Sequence, residues 1–238
     1  MNPGTDNKKL LKDMGSSIRR YLIDEFHFHH VPTISAGSLV LDLGGNRTGK
    51  RGLFDIEQYN FEVIYANLSR VKKPDVQSNA SHLPFREAAF DAVICSELLE
   101  HVPYPPDVLR EMFRVLRKKG TLLICVPFLI RIHGDPYDYA RYTDYYWSET
   151  LKAAGFSGLL IEKQGSFWCV LTDMLREVVL RKTTGGGLLS KSWPKMFMER
   201  IISLAKVKAI AWDDSSHDPN KNQYSGFTTG FGIKAIKE

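Results

Sequence analysis

The sequence predicts an α/β domain in which a doubly wound, mostly parallel sheet lies between two helical layers. Short apolar runs at 39–41, 61–66, 90–95 and 121–126 alternate with segments whose apolar residues recur at helical spacing. Such alternation is the pattern of parallel strands buried on both faces. The first run leads directly into Gly44, Gly45 and Gly49, a turn whose bare backbone lets a ligand approach the N–H groups closely. At 238 residues, 43% hydrophobic and 25% charged, the chain can bury one sizeable core without a disulfide or a structural metal.

The elements follow in order. Leu10, Leu11, Met14, Ile18, Tyr21, Leu22 and Phe26 are spaced for an amphipathic leading helix, placed at 7–30. Residues 53–59 read as a helix after the glycine turn, 76–78 as a very short strand, and 104–116 as an amphipathic helix closed by Lys119-Gly120. A helix at 148–154 and strands at 158–162 and 225–236 come next. Between the last two strands lie the break Gly185-Gly186-Gly187, an amphipathic helix at 194–212, and a polar, turn-rich stretch at 213–223. The expected organisation is one domain over 1–238, with a helical insertion at 185–224 before the last strand.

Composition narrows the function classes. Lys plus Arg total 32 against 27 Asp plus Glu, and the net charge of +5 is spread over many segments. No basic patch interleaved with aromatics appears, which disfavours nucleic acid as a partner. Cys95, Cys125 and Cys169 are odd in number and lack metal-type spacing, so reduced, buried thiols in a cytoplasmic protein are expected. The first twelve residues carry no apolar signal core, and no run approaches the ~18 apolar residues of a spanning helix. A cytoplasmic protein is expected, with peripheral contact at the inner membrane face left open.

Five ordered blocks then point to a family. They are Asp42 and Gly44; Asn79-Ala80-Ser81-His82-Leu83-Pro84-Phe85; Phe90-Asp91-Ala92-Val93; Leu99-Glu100-His101-Val102; and Arg114-Val115-Leu116-Arg117-Lys118-Lys119-Gly120. Over roughly 39–128 the chain resembles class I S-adenosylmethionine-dependent methyltransferases, especially the quinone- and menaquinone-biosynthesis group. The resemblance implies a Rossmann-like, three-layer α-β-α fold with an antiparallel last strand, and S-adenosyl-L-methionine as cofactor. Asp42, Gly44, Gly45 and Asn46 would meet the amino-acid portion of the cofactor, Asn67 the ribose hydroxyls, and Leu68 the adenine ring. Asn79 and Ala80 would read the adenine edge, and Ser96 would flank the methionine part. Asn46 and Thr48 replace the second and third glycines of the usual pattern, and Asn67 and Asn79 replace its acidic residues. Asparagine accepts hydrogen bonds without the charge-assisted strength of a carboxylate, which predicts a weaker grip on the cofactor.

The acceptor side carries two candidate clusters. Glu97, Glu100 and His101 have the spacing of one helical turn, and in some related quinone and small-RNA O-methyltransferases such a segment holds a divalent ion. The alternative, preferred on sequence, is no metal, the segment simply opening the next helix. After the fifth strand, 127–143 concentrates His133, Asp135, Asp138, Arg141 and three tyrosines. His133 could take a proton from an acceptor hydroxyl, with Asp135 or Asp138 orienting its ring, or Arg141 could simply pair with Asp138. The Pro127-Phe128 to Thr143 run is similar to a bacterial methyltransferase subgroup associated with surface glycans. The expected function is O-methylation of a sugar or glycan-biosynthesis intermediate. The alternatives are small-molecule or quinone O-methylation, RNA methylation, and an inactive binding module. The 194–212 helix, with Lys195, Arg200, Lys206 and Lys208 among apolar residues, fits either an anionic membrane surface or a lid or dimer helix, in a monomer or homodimer.

Overall fold

Each of the four apolar runs forms a strand. The computed structural model describes residues 9–49, 51–134, 137–184, 192–215 and 226–238. In chain order its elements are α1 (Lys9–Lys12), α2 (Ile18–His30), β1 (Leu39–Leu43), β2 (Glu62–Asn67), β3 (Val76–Gln77), β4 (Phe90–Ser96), α3 (Pro105–Val115), β5 (Leu116–Pro127), α4 (Asp144–Ala153), β6 (Phe156–Lys163), α5 (Phe167–Thr184), α6 (Ser192–Ser215) and β7 (Gly230–Lys237). The strands make one seven-stranded sheet in the order β3-β2-β1-β4-β5-β7-β6. The pairings β1 with β2, β1 with β4, β2 with β3 and β4 with β5 are parallel, and one strand of the sheet is antiparallel. The expected doubly wound, helix-flanked fold is the one found.

Strand order reverses at β1, which lies between β2 and β4. In such sheets the crevice outside the carboxyl ends of the strands is the ligand position. Its floor is rigid because the central strands are buried: Val40, Leu41, Ala92, Val93, Leu122, Leu123 and Ile124 have no exposed surface. Helix α3 starts with Pro105, whose fixed φ suits a first helical turn. It buries Val108, Leu109, Met112 and Val115 against this sheet, together with Trp147 and Leu151 of α4, each fully buried side chain contributing about 1.5–3 kcal/mol.

The chain divides into two compact units, Met1–Phe26 with Lys163–Gly230, and His27–Glu162 with Phe231–Glu238. The second holds the sheet. The first is helical and carries its own ionic network. Asp173 accepts the N–H groups of Ile18 (2.8 Å) and Arg19 (3.0 Å), capping the open end of α2. Lys206 donates to the carbonyls of Asp13 and Ser16, both at 2.6 Å. Arg176 donates to the carbonyls of Met14 (2.8 Å) and Gly15. Burial raises the Asp173 carboxyl above its ordinary value and pushes Lys206 down to about 8.

Several sequence expectations are corrected. The leading helix is broken at 13–17, where Asp13 turns onto the N–H of Gly15 and the hydroxyl of Ser16. The helix expected at 53–59 shrinks to one 3-10 turn, Ile56–Gln58, capped by Asp55. Gly49 and Gly52 both take positive φ just before it, and so interrupt the helical path. Helix α3 matches the expected 104–116 to within a residue at each end, but Lys119-Gly120 lie inside β5, which starts at Leu116, rather than closing the helix. Helix α5 was not foreseen, because its apolar residues surround it without a clear period. The break at 185–187 and most of the 213–223 stretch lie outside the described residues. All three cysteines are free and buried, as expected. Among the described residues no helix is long and apolar enough to cross a membrane.

Candidate active site

The turn after β1 is built around bare backbone. Gly44 sits at φ +84°, and a Cβ there would lie 3.2 Å from the Leu98 side chain. At Gly45 a Cβ would fall 2.2 Å from the Asp42 carboxyl group, so that carboxylate occupies the space a side chain would need. Asn67, at the end of β2, donates through Nδ2 to the carbonyls of Gly44 (2.8 Å) and Gly45 (3.1 Å) and accepts the Ser69 N–H (3.0 Å). It ties the turn to its neighbouring strand. Arg47 grips both Asp75 oxygens at 2.7 Å and lies over the Tyr65 ring. The Tyr65 N–H bond, ahead of Arg47, holds the Asp75 carboxyl below its ordinary range. The Asn46 Oδ1 is enclosed, with no hydrogen-bond partner among the described residues.

Around this turn, Leu68 is 66% exposed, an apolar surface left beside the crevice. Asn79 accepts the N–H of Ser81 at 3.0 Å, shaping the turn that buries Ala80. Ser96, the last residue of β4, meets Nε2 of the buried His27 at 3.0 Å. His27 stacks on Phe54 with ring centroids 4.7 Å apart. His27 and Phe54 were missed on sequence, since nothing in a leading helix or a glycine-rich turn marks them as neighbours.

The second cluster forms beyond β4. Glu97 takes φ +54°, a costly conformation for a residue with a Cβ and one found preferentially at functional sites. It turns the chain into the short 3-10 segment Leu99–His101. Glu100 is only 2% exposed. Its Oε1 lies 3.6 Å from Nε2 of His101 and 3.9 Å from Nε2 of His133. The two imidazoles meet edge to face at 5.2 Å. Each ring is held from its far side: His101 Nδ1 contacts the Tyr137 carbonyl at 2.5 Å, and His133 Nδ1 lies 3.3 Å from the Arg131 carbonyl and 3.5 Å from Asp138. Asp138 also accepts the His133 N–H at 2.7 Å and is clamped by both terminal nitrogens of Arg141. The Arg141 hydrogen bonds lead in lowering the Asp138 carboxyl to about 2.

The structure therefore joins two segments that the sequence treated separately. Glu100 and His101 come together with His133, Asp138 and Arg141, and ligand atoms of Glu100, His101 and His133 lie within 4.8 Å of one another. The expected turn of Glu97, Glu100 and His101 is not the grouping found, because the positive φ of Glu97 precedes the turn and His133 takes the third place. Asp135 lies outside the described residues.

Comparison with known proteins bears on the domain and its fold. A methyltransferase-domain family matches residues 50–124. An uncharacterized protein of Methanocaldococcus jannaschii is 35% identical over 95 residues, covering 37% of this chain and 40% of that protein. A ubiquinone/menaquinone biosynthesis C-methyltransferase of Bartonella quintana is 31% identical over 99 residues, covering 42% of this chain and 32% of that enzyme. The chain thus spans less than half the length of these two relatives. Among solved structures, an S-adenosylmethionine-dependent methyltransferase from Archaeoglobus fulgidus superposes with a TM-score of 0.55 at 17% identity, covering 92% of this chain and 94% of that one. The [4+2]-cyclase SpnF gives 0.55 at 20% identity, covering 92% and 80%. Residues 50–124 thus resemble a methyltransferase domain, and the fold is the one seen in S-adenosylmethionine-dependent methyltransferases.

Proposed function

We propose that this protein binds S-adenosylmethionine against the Gly44-Gly45 turn and methylates an oxygen of a hydroxylated acceptor seated at Glu100, His101 and His133. The residues of the turn fit the cofactor: the backbone at Gly45 is kept bare by Asp42, the Asp42 carboxylate suits an ammonium group, and exposed Leu68 suits a flat ring. Asn67 serves by holding the turn's carbonyls. When bound, the cofactor supplies a methyl group on a sulfonium whose positive charge disappears on transfer. Gly45→Ala, which drives a Cβ into Asp42, is expected to weaken cofactor binding more than tenfold by calorimetry.

The observation carrying the acceptor side is the buried Glu100 carboxylate faced by two imidazole Nε2 atoms. The Tyr137 carbonyl places the His101 proton on Nδ1; with the His133 proton also on Nδ1, toward the Arg131 carbonyl and Asp138 rather than in the tautomer that would accept from Arg141 at 3.3 Å, these atoms are three acceptors facing one another. They hold one positive charge well, and a proton released by an acceptor hydroxyl is such a charge. Asp138 and Arg141 fix the His133 ring; the rest of the rate comes from holding the acceptor oxygen in line. Tyr137 and Tyr139, both exposed with ring centroids 6.0 Å apart, offer stacking faces for a sugar ring, which supports a sugar or glycan-biosynthesis intermediate as acceptor. A second reading of the trio is a divalent-ion site, favoured by its two nitrogen and one oxygen ligands within 4.8 Å and by the carbonyl and carboxylate behind the rings.

The test is mass spectrometry of nucleotide sugars, lipid-linked glycans and quinols incubated with the protein and methyl-labelled cofactor. Labelled O-methyl sugar is the expected product; label only on quinol carbon, or on none of them, overturns the reading. Rates unchanged by chelators keep the proton reading. Rates abolished by chelators and restored by Mn²⁺ or Zn²⁺ replace it with the metal.

A further inference from the structure

Two helices of the first unit turn apolar faces outward. On α6, Phe197, Arg200, Ile201, Leu204, Val207, Lys208, Ala211 and Trp212 are all exposed and lie on one face at helical spacing. Phe197 and Leu204 are 60% and 59% exposed. The opposite side is anchored: Ile202 and Ala209 are buried in small cores, and Lys206 is locked onto carbonyls. On α5, between 167 and 180, the exposed residues are Met174, Leu175 and Val178, each 50% exposed, and none is polar. A soluble surface scatters large apolar side chains singly rather than lining them along two helices.

Charge decides what covers this face. Among the described side chains the exposed stripe of α6 carries Arg200 and Lys208 and no carboxylate: Glu199 is half-buried, and Asp213 is buried on the N–H and hydroxyl of Ser166. A second copy docking symmetrically would bring these cations toward their own duplicates with no anion to meet them. An anionic bilayer supplies negative charge and an apolar layer together, and an aromatic such as Trp212 or Phe197 suits the headgroup boundary. Among the described residues no helix can cross a membrane, so the fit is to a surface.

We infer that α6, with the exposed face of α5, docks this protein onto anionic lipid bilayers, α6 lying in the plane of the interface. The experiment is flotation of the full chain with vesicles of phosphatidylcholine alone or with added phosphatidylglycerol. The chain is expected to float with the anionic vesicles at least tenfold more tightly than with neutral ones, less so as salt rises. Phe197→Glu with Leu204→Glu should abolish flotation on both. Arg200→Glu with Lys208→Glu should remove only the anionic preference. Both variants alter exposed positions, and circular dichroism confirms that they fold. Failure of the wild type to float, equal binding to neutral vesicles, or a concentration-dependent dimer that the Phe197/Leu204 pair dissolves would each overturn the inference, the last by assigning the face to a second copy.

Discussion

The protein has two buried ionic clusters, and they do opposite things with their polar atoms. In the helical unit, Asp173 and Lys206 point at main-chain groups, and Arg176 does so while also pairing with Glu177, together closing the start of α2 and the carbonyls of 13–16. In the sheet unit, Glu100, His101 and His133 point at one another, while the contacts that hold them come from behind, through Tyr137, Arg131, Asp138 and Arg141. Burial of charge is common to both. The direction of the hydrogen bonds separates a structural clamp from the cluster proposed to accept a proton.

The largest expected effect is at Glu100. Glu100→Gln keeps the shape and removes the charge that the imidazoles face, and should lower methyl transfer by about 10²–10⁴-fold with an unfolding midpoint near wild type. An activity loss matched by an equal stability loss would make this cluster a clamp too. Next comes Asp173→Ala, which strands two buried backbone N–H groups at the start of α2 and removes a negative charge near Arg176 and Lys206. It should destabilise the fold by about 3 kcal/mol in urea unfolding, while the folded fraction keeps its turnover.

Asp138→Asn tests the ring-holding role and should lower turnover by about tenfold, with a shifted pH–rate profile and unchanged cofactor affinity. Stability carries a matching sign. Asp138 titrates near 2 in the folded chain and near 3.9 unfolded. Its contribution is therefore present above about pH 4 and fades between 4 and 2, and the variant should lack that step. Lys206 gives the smallest effect and the opposite slope. Its folded value of about 8 lies below the ordinary 10.5, so between those values the unfolded chain binds more protons and stability rises with pH. Lys206→Met should flatten that rise in thermal melts at pH 8 to 10.5.

The positions of the four main parallel strands along the chain were legible because strands buried on both faces leave continuous apolar runs, and the turn after β1 was legible from its glycines. What lay beyond these signals depended on context. The helix expected at 53–59 gave way to an irregular path because Gly49 and Gly52 adopt positive φ, a conformation glycine permits but does not announce. Helix α5 had no one-sided period to read, since its exposed Met174, Leu175 and Val178 are apolar while its buried side includes Thr172, Asp173 and Arg176.

The sequence by itself determined that glycines follow the first strand, that Glu100-His101 follows the fourth, and that a polar, tyrosine-rich segment follows the fifth, because each is local in the chain. Tertiary structure decided where these segments meet. Sheet order brings the carboxyl ends of β1, β2 and β4 together; backbone bonds such as Tyr139 N–H to the Glu100 carbonyl at 2.8 Å lay the later loop over the earlier turn; and side chains distant in sequence then share one buried charge. That pairing is a property of distance in space, which spacing along the chain does not encode.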